Sequence, residues 1–139
     1  MKFFVDRCFP LRLMKALAII EERAHQFTHL DEHFDQDTPD VDWLRAIGGW
    51  TPKPIVLSGD ARILTRRDEV QELMAQDLFF VTMYGGWPDQ NVYEQTWKFF
   101  KVWPKIVEEL GRCKAPTVFK IVPAASGLDN LGLTQRFRK

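Results

Sequence analysis

The chain has 139 residues, which suits a single domain with one hydrophobic core. Its 19 basic and 19 acidic side chains cancel, so no global charge advertises nucleic-acid binding and any basic footprint must be local. Cys8 and Cys113 are too far apart in sequence for a metal-ligand pair, no apolar run approaches the roughly 20 residues of a membrane span, and Met1 to Val5 is too short for a signal peptide; a reduced, cytoplasmic protein is expected.

Lys2 to Val5 is a short apolar run stopped by Asp6 and reads as the first strand. Phe9-Pro10 opens a helix, roughly Pro10 to Ala24, with Leu13, Leu17 and Ile20 on one face. Phe27 to Leu30 reads as a second strand, followed by an acidic loop from Asp31 to Asp37. Thr38-Pro39-Asp40 has the form of a helix start: Thr38 as N-cap, Pro39 in the first helical position, acids in the first turn. This second helix carries Val41, Leu44 and Ile47 and stops at Gly48-Gly49. Ile55 to Ser58 is a third strand, ended by Gly59-Asp60. A third helix spans Arg67 to Gln76, a fourth strand Leu78 to Met83, and a loop Gly85 to Pro88. Val92 to Leu110 is a long helix that Pro104 must kink or split. Thr117 to Val122 is the fifth strand, and 123–139 is a basic tail beyond a domain of residues 1–122. Strands alternating with helices, each strand a near-continuous apolar run, predict an α/β domain of three layers, α/β/α, around a five-stranded, mainly parallel sheet.

In such sheets ligands bind beyond the carboxyl ends of the strands. Asp6 ends the first strand, Asp60 follows the third, and Asp40 and Asp42 lie in the first turn of the second helix. Carboxylates gathered there repel one another unless a hard cation or protons neutralise them. Mg²⁺ takes one or two direct carboxylates plus waters and leaves room for a substrate phosphate, which is phosphodiester hydrolase chemistry. A single aspartate after a strand more often caps a helix or forms a turn, so the joint placement carries the argument. Arg7, Arg12, Arg62, Arg66 and Arg67 fall nearby, and arginine pairs bidentately with phosphate.

Phe3-Phe4-Val5-Asp6 with Pro10-Leu11-Arg12-Leu13, then His29-Leu30 and Thr38-Pro39-Asp40 with Trp43-Leu44, then Ser58-Gly59-Asp60-Ala61-Arg62-Ile63, resemble in order and spacing the blocks of the PIN-like domain family, related to VapC-type toxins. The resemblance covers about residues 3 to 83. It implies Mg²⁺- or Mn²⁺-dependent cleavage of RNA, single-stranded or structured, often by the toxin of a toxin–antitoxin pair. Carried onto this chain, the catalytic and metal-binding residues are Asp6, Asp40 and Asp60, with Asp42 competing for the second position. Arg7, Arg62 and Arg66 are the substrate-binding candidates, Arg62 foremost because it follows Asp60 inside the matching block. Relatives often carry Asn or Glu where this chain has Arg7, which leaves room for a catalytically degenerate, partner-binding module. A receiver-type phosphoacceptor domain, with Asp60 as acceptor, is the alternative from another class; Asp6-Arg7 in place of paired acids and the lack of a Lys-Pro end on the fifth strand count against it.

Three further patterns are weighed. His25, His29 and His33 recur every four residues, but a strand across Phe27 to Leu30 would break the stripe, so zinc is not expected. Trp87 or Tyr84 is a candidate platform for base stacking. The long helix carries two apolar stripes, one through Phe99, Trp103 and Ile106 and one through Tyr93, Trp97, Phe100 and Val107. Either the second stripe is a surface for a homodimer or an antitoxin, or Pro104 turns both into the core.

Overall fold

The structure is a computed structural model that describes residues 1–85, 87 and 90–121 and the backbone of 128–130. Six strands form one sheet: β1 (Lys2–Val5), β2 (Gln26–His29), β3 (Ile55–Ser58), β4 (Phe79–Met83), β5 (Thr117–Ile121) and β6 (Leu128–Asn130). Their spatial order is β2-β1-β3-β4-β5-β6. The first five run parallel, as the apolar strands predicted. The sixth pairs antiparallel with β5 and lies inside the stretch read as a tail. Three residues there suffice for a short edge strand, which hydropathy alone does not signal. The rest of 122–139, including the expected last residue of the fifth strand, lies outside the described residues.

Four helices cover the sheet: α1 (Leu11–Ile20), α2 (Asp40–Gly48), α3 (Arg67–Ala75) and α4 (Val92–Arg112). Alternation along each strand sends side chains to two cores. Phe3 and Val5 meet Leu13 and Leu17 of α1 and Phe99, Trp103 and Ile106 of α4. Phe4 and Val56 meet Trp43, Leu44 and Ile47 of α2 and Val70 and Leu73 of α3. Phe4 stacks on Trp43 at 5.3 Å between ring centroids, and neither is measurably exposed. Burial of such side chains is worth about 1.5–3 kcal/mol each.

Thr38 is not the cap of α2: Pro39 occupies the cap position and no side chain satisfies it. The first-turn acids Asp40 and Asp42 do the electrostatic work at this helix end instead. α4 runs unbroken through Pro104, which is exposed. The first helix ends at Ile20, four residues earlier than its polar end suggested.

The connections fix where a site can form. α1 carries the chain from β1 to β2 on one face, while α2 carries it back over β1 to β3 on the other. The chain thus leaves β1 and β3 in opposite directions, and a crevice opens between their carboxyl ends, at the topological switch point. α4 moves the chain from β4 to β5 on the same face as α1 but in the opposite direction, so that crossover has the opposite hand from the other three. Two helices consequently cover each face of the sheet.

Candidate active site

Asp6 continues β1 by one ladder bond, its N–H donating to Leu57 O at 3.0 Å. This sets its side chain against the end of β3. Oδ1 accepts from the N–H groups of Cys8 and Phe9, each at 3.1 Å, and of Gly59 at 3.3 Å. Oδ2 accepts from the Ser58 hydroxyl. Asp6 is only 6% exposed, and burial pushes its carboxyl up to about 6 despite the donated hydrogen bonds from Ser58, Gly59, Cys8 and Phe9.

The same Ser58 oxygen accepts from the Asp60 N–H at 3.0 Å, so one hydroxyl ties the end of β1 to the turn after β3. That turn is close-packed. A Cβ added at Gly59 would lie 2.0 Å from Cys8 O and 2.5 Å from its carbonyl carbon, so only glycine lets the two loops approach. Asp60 then caps the 3-10 turn Ala61–Thr65, its Oδ1 accepting from the Arg62 N–H at 2.9 Å.

Asp40 arrives from the start of α2. The Trp43 indole donates to its Oδ1 at 2.8 Å. Asp6, Asp40 and Asp60 line one cavity of about 220 Å³, with Ile63 and Cys8 completing the wall. Arg7, Arg62 and Arg66 line it too. Asp42 does not; it is exposed on α2. Arg12 and Arg67 are exposed and also lie off the cavity.

Each arginine holds a carboxylate. Arg62 grips Asp60 with Nε at 2.9 Å from Oδ1 and 3.1 Å from Oδ2, and Nη2 at 2.9 Å from Oδ2. These hydrogen bonds hold the Asp60 carboxyl below its ordinary range. Arg7 and Arg66 approach Asp40 from two sides, at 3.8 and 3.7 Å. Arg7 is also anchored to Thr38 O at 2.8 Å, and Arg66 to Glu69 Oε1 at 3.1 Å. Three carboxylates thus face three guanidinium groups.

Two contributors escaped the sequence reading. Ser58 ends a strand and opens the third matching block but carries no role in the sequence reading; a hydroxyl closing an otherwise apolar run was the available signal. Glu69 was hidden in a polar helix start, yet it is 6% exposed and its Oε2 has no hydrogen-bond partner among the described residues. Burial raises its carboxyl above the usual range, helped by the nearby Asp40 charge. Its spacing of three from Arg66 was the available signal.

Other expectations resolve against the geometry. Trp87 is 3% exposed and donates its indole N–H to Ile121 O at 2.7 Å, so it is core and not a stacking platform. Tyr84 is 45% exposed, with Lys120 Nζ 4.5 Å from its ring centroid. His25 packs on Phe3 and Trp103, whereas His33 packs on Trp50 on the other side of the sheet, so these two histidines share no face. A larger cavity, about 470 Å³, lies at the amino ends of β1 and β2 between Phe27, His33 and Trp50, and no carboxylate lines it.

Beside the Cys8 thiol, the donor set at the smaller cavity is oxygen: three carboxylates, with the Ser58 hydroxyl hydrogen-bonded to Asp6 behind them. That fits a hard divalent ion in kind. As the side chains lie, no three His, Cys, Asp or Glu groups converge closely enough to enclose an ion among the described residues. Asp60 is paired with Arg62, and Asp40 lies beside Arg7 and Arg66.

Fold and site define a doubly wound α/β protein with an acid-and-arginine cavity at its switch point. A family model described as a PIN like domain matches residues 1–84, and the chain belongs to that family. The matched stretch runs from β1 through β4 and contains every residue lining the cavity. No curated protein and no solved structure matches the chain. No described helix is long and apolar enough to cross a membrane.

Proposed function

We infer that this protein is a Mg²⁺- or Mn²⁺-dependent nuclease that hydrolyses RNA phosphodiester bonds. The observation that carries the reading is the cavity that Asp6, Asp40 and Asp60 line together with three arginines, where the Ser58 hydroxyl joins the Asp6 carboxylate to the Asp60 backbone N–H. Asp6, Asp40 and Asp60 would hold the ion, which when bound supplies an acidified water and charge stabilisation at the phosphate. Ser58 and the three backbone N–H groups orient the Asp6 carboxylate. Arg7, Arg62 and Arg66 bind the phosphate oxygens, and their planar forks suit that geometry. Tyr84, exposed beyond the carboxyl end of β4, offers a ring for a flanking base and favours single-stranded RNA.

The test is cleavage of single-stranded RNA by the full chain. Cleavage is expected with Mn²⁺, absent with chelator, and reduced at least about 100-fold in Asp6→Asn and Asp60→Asn. Equal cleavage by the variants would overturn the assignment.

One observation favours a second reading, the partner-binding module without catalysis: Arg62 covers Asp60 while Arg7 and Arg66 both approach Asp40, so two of the three cavity acids are paired with arginines. Under either reading the Tyr93–Trp97 stripe of α4, 81% and 54% exposed, is a surface for a second copy or for an antitoxin. A chain that stays monomeric in light scattering removes the first of these.

A further inference from the structure

The three arginines do not have equal ties. Arg7 and Arg66 each hold a second protein group, Thr38 O and Glu69, and would keep their places if Asp40 turned away. Arg62 does not. Its ion pair in the structure is with Asp60, and its side chain is 76% exposed. The guanidinium covers both Asp60 carboxylate oxygens, and those are the atoms a divalent ion would need. Cation and Arg62 therefore compete for one carboxylate.

Competition alone would only weaken ion binding. The cavity contains the remedy. A phosphate diester entering between Arg7, Arg62 and Arg66 presents Arg62 with a second planar acceptor of the same charge. The exposed side chain swings with little loss of packing, and Asp60 is freed at the same moment that the phosphate arrives. Resting on the metal-nuclease reading above, we propose that Arg62 is an internal stand-in for the cation, and that divalent ion and phosphodiester bind this cavity cooperatively. Coupling of this kind is reciprocal: whatever factor the diester adds to ion affinity, the ion adds to diester affinity. The device keeps Asp60 neutralised between turnovers and yields that carboxylate to the ion only beside substrate.

The experiment is equilibrium Mn²⁺ binding to the full chain, read by electron paramagnetic resonance of free Mn²⁺, so that no turnover is needed. Dimethyl phosphate is the probe, a diester that offers the phosphate without bases. Wild type is expected to bind Mn²⁺ at least about fivefold tighter when dimethyl phosphate is saturating. Arg62→Gln, without the probe, is expected to bind Mn²⁺ about three- to tenfold tighter than wild type, and to lose most of the response to the probe. If wild type binds Mn²⁺ and Arg62→Gln binds it no tighter, the stand-in role is wrong while the cation site survives. If neither protein binds Mn²⁺ with or without the probe, the cation site itself is wrong and the inference falls with it.

Discussion

Asp6 is the most constrained residue of the site. Its folded carboxyl sits at about 6, against about 3.9 for an unfolded chain. Between those values the folded protein keeps a proton that the unfolded chain has released. In chelator, native stability should therefore fall as pH rises from about 4 to about 6 and level off above, by on the order of 2–3 kcal/mol from this group. Asp6→Asn removes the charge but keeps the shape. It should raise the melting temperature at pH 7.5 and lose that advantage at pH 4; calorimetry at both values checks it, and equal gains at both would contradict the burial argument. Gly59 is the second test at this scale. Gly59→Ala forces a methyl into Cys8 O and should cost roughly 1–3 kcal/mol in urea unfolding and abolish Mn²⁺ binding. Asp6, Asp60 and the arginines were legible because strand ends and turn residues announce themselves in sequence. Asp42 lies off the cavity because a helical spacing of two from Asp40 points the two side chains apart. The pairing of Arg7 and Arg66 with Asp40 was not legible, since it depends on which distant loops meet, whereas Arg62 and Asp60 form a local pair.

At the scale of elements, α4 carries the largest surprise. The sequence offered two apolar stripes and a proline to divide them. The helix stays whole, buries Phe99, Val102, Trp103, Ile106 and Leu110, and leaves Tyr93 and Trp97 outside. Phe100 and Val107 are half-covered, packed at the edge of the same core. Trp103 is 4% exposed, and its indole N–H has no partner among the described residues. Trp103→Phe removes that unpaired donor and some volume together, so its net cost in denaturant unfolding should stay below about 1 kcal/mol. Phe99→Ala, in the same helix, should cost about 3–5 kcal/mol. A Trp103→Phe cost as large as the Phe99→Ala cost would mean that the indole N–H is satisfied after all. The strands were easier to read than the helix ends. A buried parallel strand must be apolar on both faces, whereas a helix end is settled by one or two hydrogen bonds, as the uncapped Pro39 start of α2 illustrates.

For the whole molecule, the β-α alternation gave the class of fold and the rule for parallel sheets gave the end at which to look. Strand order and the hand of each crossover were not legible. Nothing in the hydropathy of 84–91 says that α4 will lie on the α1 face, where it leaves the four described helices two to a face. The switch point between β1 and β3 then follows from connectivity, and with it the meeting of Asp6, Ser58, Asp60 and Asp40. One spatial claim is central: Asp6 and Asp60 are proposed to share the cation once Arg62 lets go. A crystal grown with MnCl₂ and dimethyl phosphate and measured at the manganese absorption edge tests it directly. The account predicts an anomalous peak within about 2.5 Å of carboxylate oxygens of Asp6 and Asp60, with Arg62 turned onto the phosphate. No peak in this cavity, with Arg62 still gripping Asp60, would contradict it.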